Sequence, residues 1–252
     1  MIALIRSEFL RLRSRRVLMT LTALGAAGIV VGMSIAAVKS HPGLNGLALS
    51  SLPDVLKHVS FILVVFGLVI GASSVGADWQ TGSMATLLTW EPRRTRVFFA
   101  RLLVVIVTVL LLAVALETLL ALLFLLVANT RGTTAFAGGV GRAATGAILR
   151  VGAMASVGSV LGACIAMLGR SSTAALGAVF VYLAVVENLL RGLYPGITKW
   201  TFAVNAVVFV DGKPATLFNQ ILTFGRAVAM LVGYAGIVIV AGLTSFRTRD
   251  VD

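Results

Sequence analysis

The chain has few of the residues on which enzyme and metal chemistry usually depends. It contains one cysteine, Cys164, in 252 residues, which excludes an intramolecular disulfide and a cysteine-built zinc site. Its two histidines, His41 and His58, fall in one stretch between apolar runs, and neither lies in a metal-ligand spacing such as His-Glu-x-x-His. That argues against an intramembrane protease or lipid-modifying enzyme, which needs clustered acid, base and nucleophile groups. No lysine follows the Gly-x-x-x-x-Gly spacing of a phosphate-cradling loop, so no nucleotide site of that type is expected. Acidic residues number 9, and charged residues of both signs make up only 12% of the chain. Soluble domains carry about twice that share, so a water-soluble fold is not expected, and a disordered chain would need the opposite composition.

What is present is hydrocarbon, with 59% of the residues hydrophobic. A membrane crossing takes ~20 predominantly apolar residues as a helix. Runs of that kind cover about 17–38, 59–77, 102–128, 151–168, 173–190 and 221–243, so the expected fold is a single all-α transmembrane domain of six helices. The first run is longer than the ~7–15 apolar residues of a signal peptide and reads as a retained helix.

The net charge of +12 is split into short clusters between these runs. Such a pattern fits loops facing anionic lipid headgroups and not a nucleic-acid-binding stripe. With the N-terminus inside, twelve Lys and Arg residues fall on the cytoplasmic side and eight in the longer outer loops. The positive-inside rule therefore predicts both termini in the cytoplasm.

Two segments stand apart from the spans. Residues 1–16 carry Arg6, Arg11, Arg13, Arg15 and Arg16 around Ile2, Ile5, Phe9 and Leu12. Those apolar residues share a helical stripe, which predicts an interfacial amphipathic helix. Before the last span, residues 200–210 are apolar apart from Thr201 and Asn205. They are too few to cross the bilayer, so an outer re-entrant segment is predicted. Gly28-x-x-x-Gly32, Gly67-x-x-x-Gly71 and Gly158-x-x-x-Gly162 offer smooth faces for close helix packing.

The loop from Asp78 to Arg101 reads DWQTGSMATLLTWEPRRTRVFFAR. Thr81 can cap a short helix whose apolar residues Met84, Leu87, Leu88 and Trp90 lie near i, i+3, i+4 spacing, and Pro92 ends it at Glu91. This loop resembles that of the permease subunits of type-2 ABC transporters, mostly bacterial exporters. The family pattern is an acidic residue closing the second span, then Gly-Thr, an aliphatic pair and Pro-x-Arg before the third. The matching residues are Asp78, Gly82-Ser83, Leu87-Leu88 and Pro92-Arg93-Arg94, with Arg101 opening the next helix. Asp78 and Ser83 stand where Glu and Thr are commoner.

The resemblance implies that helix 81–91 is a coupling helix docking on a cytoplasmic ATPase and that 1–16 is the elbow helix. It also implies two ATPase copies, which bind the ATP and magnesium, and a second permease copy or paralogue. The chain itself would hold no cofactor and catalyse nothing. Its expected role is alternating-access export from a bacterial plasma membrane, with a membrane-remodelling or immunity scaffold as the alternative.

Three ionisable residues fall inside spans, namely Glu117, Glu187 and Arg226. At 1.5 Å per residue each lies ~21–22 Å from the inner surface. An uncompensated charge in hydrocarbon costs ~2.5–3.5 kcal/mol, so Arg226 is expected to pair with Glu187 or Glu117 as part of an outer gate or substrate-facing wall. A static pair, or Glu187 bonded to Arg191 one turn on, is the plainer expectation.

Overall fold

The computed structural model describes residues 2–39, 48–84, 89, 93–131, 139–217 and 220–248. Among them a short helix α1 (Ile2–Arg13) is followed by α2 (Arg16–Lys39), α3 (Leu52–Gln80), α4 (Arg94–Arg131) and α5 (Val140–Gly169). Helix α6 (Ser172–Leu193) contains a π-helical stretch at Tyr182–Val186. A 3-10 turn (Pro195–Trp200), α7 (Phe202–Asp211), a two-stranded hairpin of β1 (Ala215–Leu217) and β2 (Gln220–Leu222), and α8 (Phe224–Thr248) complete the order. Six helices, α2 to α6 and α8, are long and apolar enough to cross a membrane. The chain is a multi-pass membrane protein, and its described residues are predominantly helical apart from the hairpin.

The helices extend beyond the hydropathy-based spans because caps, not hydrocarbon, set where a helix ends. Pro53 occupies the first turn of α3, where its missing N–H costs nothing. Helix α5 starts at Val140 after Gly139 at φ +95°, eleven residues ahead of the apolar run at 151. Ser171 accepts the N–H of Ala174 and caps α6, as expected for a serine at that position. The last span starts at Phe224, because Ile221 pairs with Thr216 across the hairpin. Nothing in the apolar run distinguished that strand from helix.

Helices α3 and α5 form the centre. A Cβ at Gly67 or Gly71 would overlap the carbonyls of Ala155 or Ser159, and one at Gly158 or Gly162 those of Val64 or Leu68. Two of the three glycine motifs therefore face each other and let the backbones touch. The third does not pack. Gly28 and Gly32 meet nothing within 4 Å and border an apolar cleft of about 600 Å³ between α2, α3 and α4.

The helices alternate in direction, so one end of the bundle collects α1, the start of α4 and the end of α8. The other end collects α7 and the hairpin. These are called the terminal end and the hairpin end below.

Candidate functional site

At the terminal end the last turns of α3 bury Asp78, which is 4% exposed. Its Oδ1 takes Arg15 Nη2 at 2.5 Å and Arg11 Nη2 at 3.0 Å. Arg101 Nη1 stands 2.9 Å from Oδ2 as an ion pair, without hydrogen-bond alignment. Glu8 of α1 joins the group, 3.3 Å from Arg101 and 3.7 Å from Arg11. Arg15 also donates to the Ser73 carbonyl at 2.8 Å. Three arginines thus meet two carboxylates across α1, the turn after it, α3 and α4, with Arg101 itself only 3% exposed. Buried charges are tolerated when each has a partner, and here the partners come from three separate elements.

The same cluster organises the loop that follows α3. Gly82 has φ +69°, a left-handed conformation that suits glycine, and it turns Ser83 back toward the cluster. Arg11 donates to Ser83 Oγ at 3.1 Å. Among the described residues Thr81 caps no following segment, and residues 85–88, where the expected helix would continue, lie outside them. The Thr81 hydroxyl donates to the Ala77 carbonyl at 3.0 Å and closes α3, because the chain is still in the last turn of that helix. Met84 is 1% exposed and packs with Val97, Phe98 and Leu102. It anchors the loop from inside, where the apolar stripe had been expected to face a partner. Leu87, Leu88, Trp90 and Pro92 lie outside the described residues. Arg93 caps the start of α4 through its carbonyl, which accepts the N–H groups of Arg96 and Val97 at 2.9 and 3.3 Å. Arg94 donates to the Phe246 carbonyl at 3.2 Å, a cationic cap on the end of α8.

On α1 the expected stripe divides. Ile5 and Leu12 pack on the bundle, while Phe9 is exposed. The bundle-facing side carries Glu8 in its place, one turn from both Ile5 and Leu12.

At the hairpin end the expected Glu187–Arg226 pair is absent. Glu187 is fully buried, and its carboxylate accepts the N–H of Phe202 at 2.6 Å and of Ala203 at 3.0 Å. It caps α7 from another helix, satisfying first-turn N–H groups and placing negative charge at the positive end of the helix dipole. Arg150 does the reverse at the other end of α7, donating from Nε to the Val210 carbonyl at 3.1 Å. The Arg226 guanidinium lies over the Trp200 ring, 5.0 Å from its centroid. Equal depth placed Arg226 and Glu187 on one level but said nothing of which way each faced. Arg191 donates to the Glu187 backbone carbonyl and to Asn188, not to the carboxylate. Glu117, 1% exposed, has neither carboxylate oxygen hydrogen-bonded among the described residues. The three residues do not form one cluster.

Sequence reasoning missed Arg11 and Arg15 as partners of Asp78, and Glu8 as the second acid facing Arg101. The available signal was an acid at Glu8 on the bundle side of a helix otherwise rich in arginine. A family model described as "Protein of unknown function (DUF2705)" matches residues 20–251, and the chain belongs to that family. No curated protein matches it.

Proposed function

We propose that this DUF2705 protein is the membrane-spanning permease subunit of an ATP-driven ABC exporter. It moves its substrate out of the cytoplasm or inner leaflet by alternating access, driven by a separate ATPase. The observation that carries the reading is the tie between α1 and the loop at 81–93. Asp78 and Arg101 flank that loop and are held to α1 through Arg11 and Glu8, with Arg15, in the turn after α1, as a further partner of Asp78. A force applied to the loop by a partner would therefore move α1, α3 and α4 together, since breaking one link strands a buried charge.

In this reading the segment 81–91 makes the coupling contact, with Leu87, Leu88 and Trp90 as its contact residues. A large aromatic is the usual anchor of such a contact. Helix α1 is the interfacial elbow helix, and α7 is the outer re-entrant segment. Arg93 and Arg94 continue the basic rim of the loop. The assembly contains two ATPase copies, which bind ATP and magnesium, and a second permease copy or paralogue. Both termini face the cytoplasm of a bacterial cell, in its plasma membrane.

The test is a mild-detergent pulldown of the tagged chain from its own membranes, with mass spectrometry of the co-purifying proteins. A Walker-type ATPase should appear, and the Leu87→Asp/Trp90→Ala double variant should lose it while remaining folded. Absence of any nucleotide-binding protein from the folded wild-type complex would overturn the reading.

A further inference from the structure

Trp200 sits at the hairpin end, just ahead of α7, and is 49% exposed. Its backbone is fixed from α8, because the Tyr234 hydroxyl donates to the Trp200 carbonyl at 2.7 Å. Two cations address the ring. The Arg226 guanidinium stands 5.0 Å from the centroid and Lys199 Nζ 5.9 Å. Cation–π attraction holds both there, yet neither has a counter-ion among the described residues. Of the two nearest acids in chain order, Glu187 is taken by the N–H groups of Phe202 and Ala203 and Asp211 faces Lys57 Nζ at 3.9 Å. Arg226 Nε is moreover buried without an acceptor among the described residues.

We infer that Lys199, Trp200 and Arg226 form a binding site for the phosphate of an anionic lipid headgroup. The chemistry is that of a phosphate diester. Arg226 supplies a planar donor set, and Lys199 supplies a compact second charge. A half-exposed tryptophan beside cations is the usual composition of a protein's boundary with headgroups. Leu193, Tyr194 and Phe224, at the adjoining ends of α6 and α8, are exposed as well and offer apolar surface for the upper acyl chains. The site is independent of the transport reading and stands or falls separately from it.

The test is native mass spectrometry of the full chain released from detergent, titrated with phosphatidylglycerol or with phosphatidylcholine. The tightest phosphatidylglycerol should bind in clear preference to phosphatidylcholine. Its affinity should fall about fivefold in Lys199→Gln and about thirtyfold in Lys199→Gln/Arg226→Gln, each cation near an anionic headgroup contributing about one such factor. Trp200→Leu should weaken it too. Lys199→Gln, at a partly exposed position, keeps the test open if the double variant does not fold. Equal retention of the two lipids, or unchanged phosphatidylglycerol binding in the variants, overturns the inference. Displacement of the lipid by an excess of inorganic phosphate overturns the lipid source and assigns the site to a soluble phosphate.

Discussion

At the terminal end Asp78 and Glu8 are buried among three arginines from neighbouring elements, whereas at the hairpin end a buried Glu187 and a half-buried Arg150 stand against the two ends of α7. The first arrangement neutralises side chains with side chains. The second satisfies backbone groups with side chains and complements one helix dipole at both poles. They differ in what they fix. Ion pairs between α1, α3 and α4 join elements that could otherwise move separately, and Arg11 and Arg15 are long enough to follow a displacement of Asp78. Helix caps fix the position of a ten-residue helix that is too short to hold itself in place. The terminal end is thus built as a linkage, and the hairpin end as a plug with its short helix pinned.

The sharpest way to break this contrast is at Asp78. Asp78→Ala should cost about 3–5 kcal/mol, because it leaves Arg101 buried with only Glu8 to answer it. Thermal unfolding in nanodiscs reads the loss, and limited proteolysis between α1 and α2 should show α1 released. A melting temperature and cleavage pattern like wild type would mean that the linkage does not hold α1. At the other end, Glu187→Leu should cost about 1–3 kcal/mol by stranding buried N–H groups, without any change at α1. Hydrogen exchange of the Phe202 and Ala203 amides is the specific readout, and Glu187→Gln, which keeps an acceptor, should protect them partly. Arg150→Met removes one donor from the Val210 carbonyl and the cation at the end of α7. Its cost should be about 1 kcal/mol, with faster exchange confined to the residues after Val208.

The scaffold and two residues of the terminal end could be read from the chain alone, and little of the hairpin end. The six spans were visible because hydrocarbon thickness imposes a length of apolar sequence that few other constraints imitate. The facing glycines of α3 and α5 were visible because close packing demands small residues at a fixed interval. Asp78 and Arg101 could be singled out within their loop, but Glu8 lies far upstream and no local spacing links it to them. The capping of α7 left no trace at all. A carboxylate that answers backbone N–H groups has no partner residue type to recognise, so Glu187 invited a charge partner and Arg226 was the one at its depth. The hairpin was hidden because Ile221 and Leu222 continue the apolar run of α8.

Glu117 belongs to neither scheme and tests whether the contrast is complete. It is buried in the middle of α4, and among the described residues its carboxylate has neither an ion-pair partner nor a hydrogen-bond donor. If burial alone made an acid structural, all three carboxylates would respond alike to losing their charge. The partners predict otherwise. A charge at this depth would cost ~2.5–3.5 kcal/mol with nothing to offset it, so Glu117→Gln, equal in shape and uncharged, should change stability by no more than about 0.5 kcal/mol. Thermal unfolding of that variant beside Asp78→Asn and Glu187→Gln, in one lipid mixture, reads the difference directly. A loss at Glu117 as large as that at Asp78 would mean that an unrecognised cation reaches the middle of α4, and the separation into two charged ends would then fail.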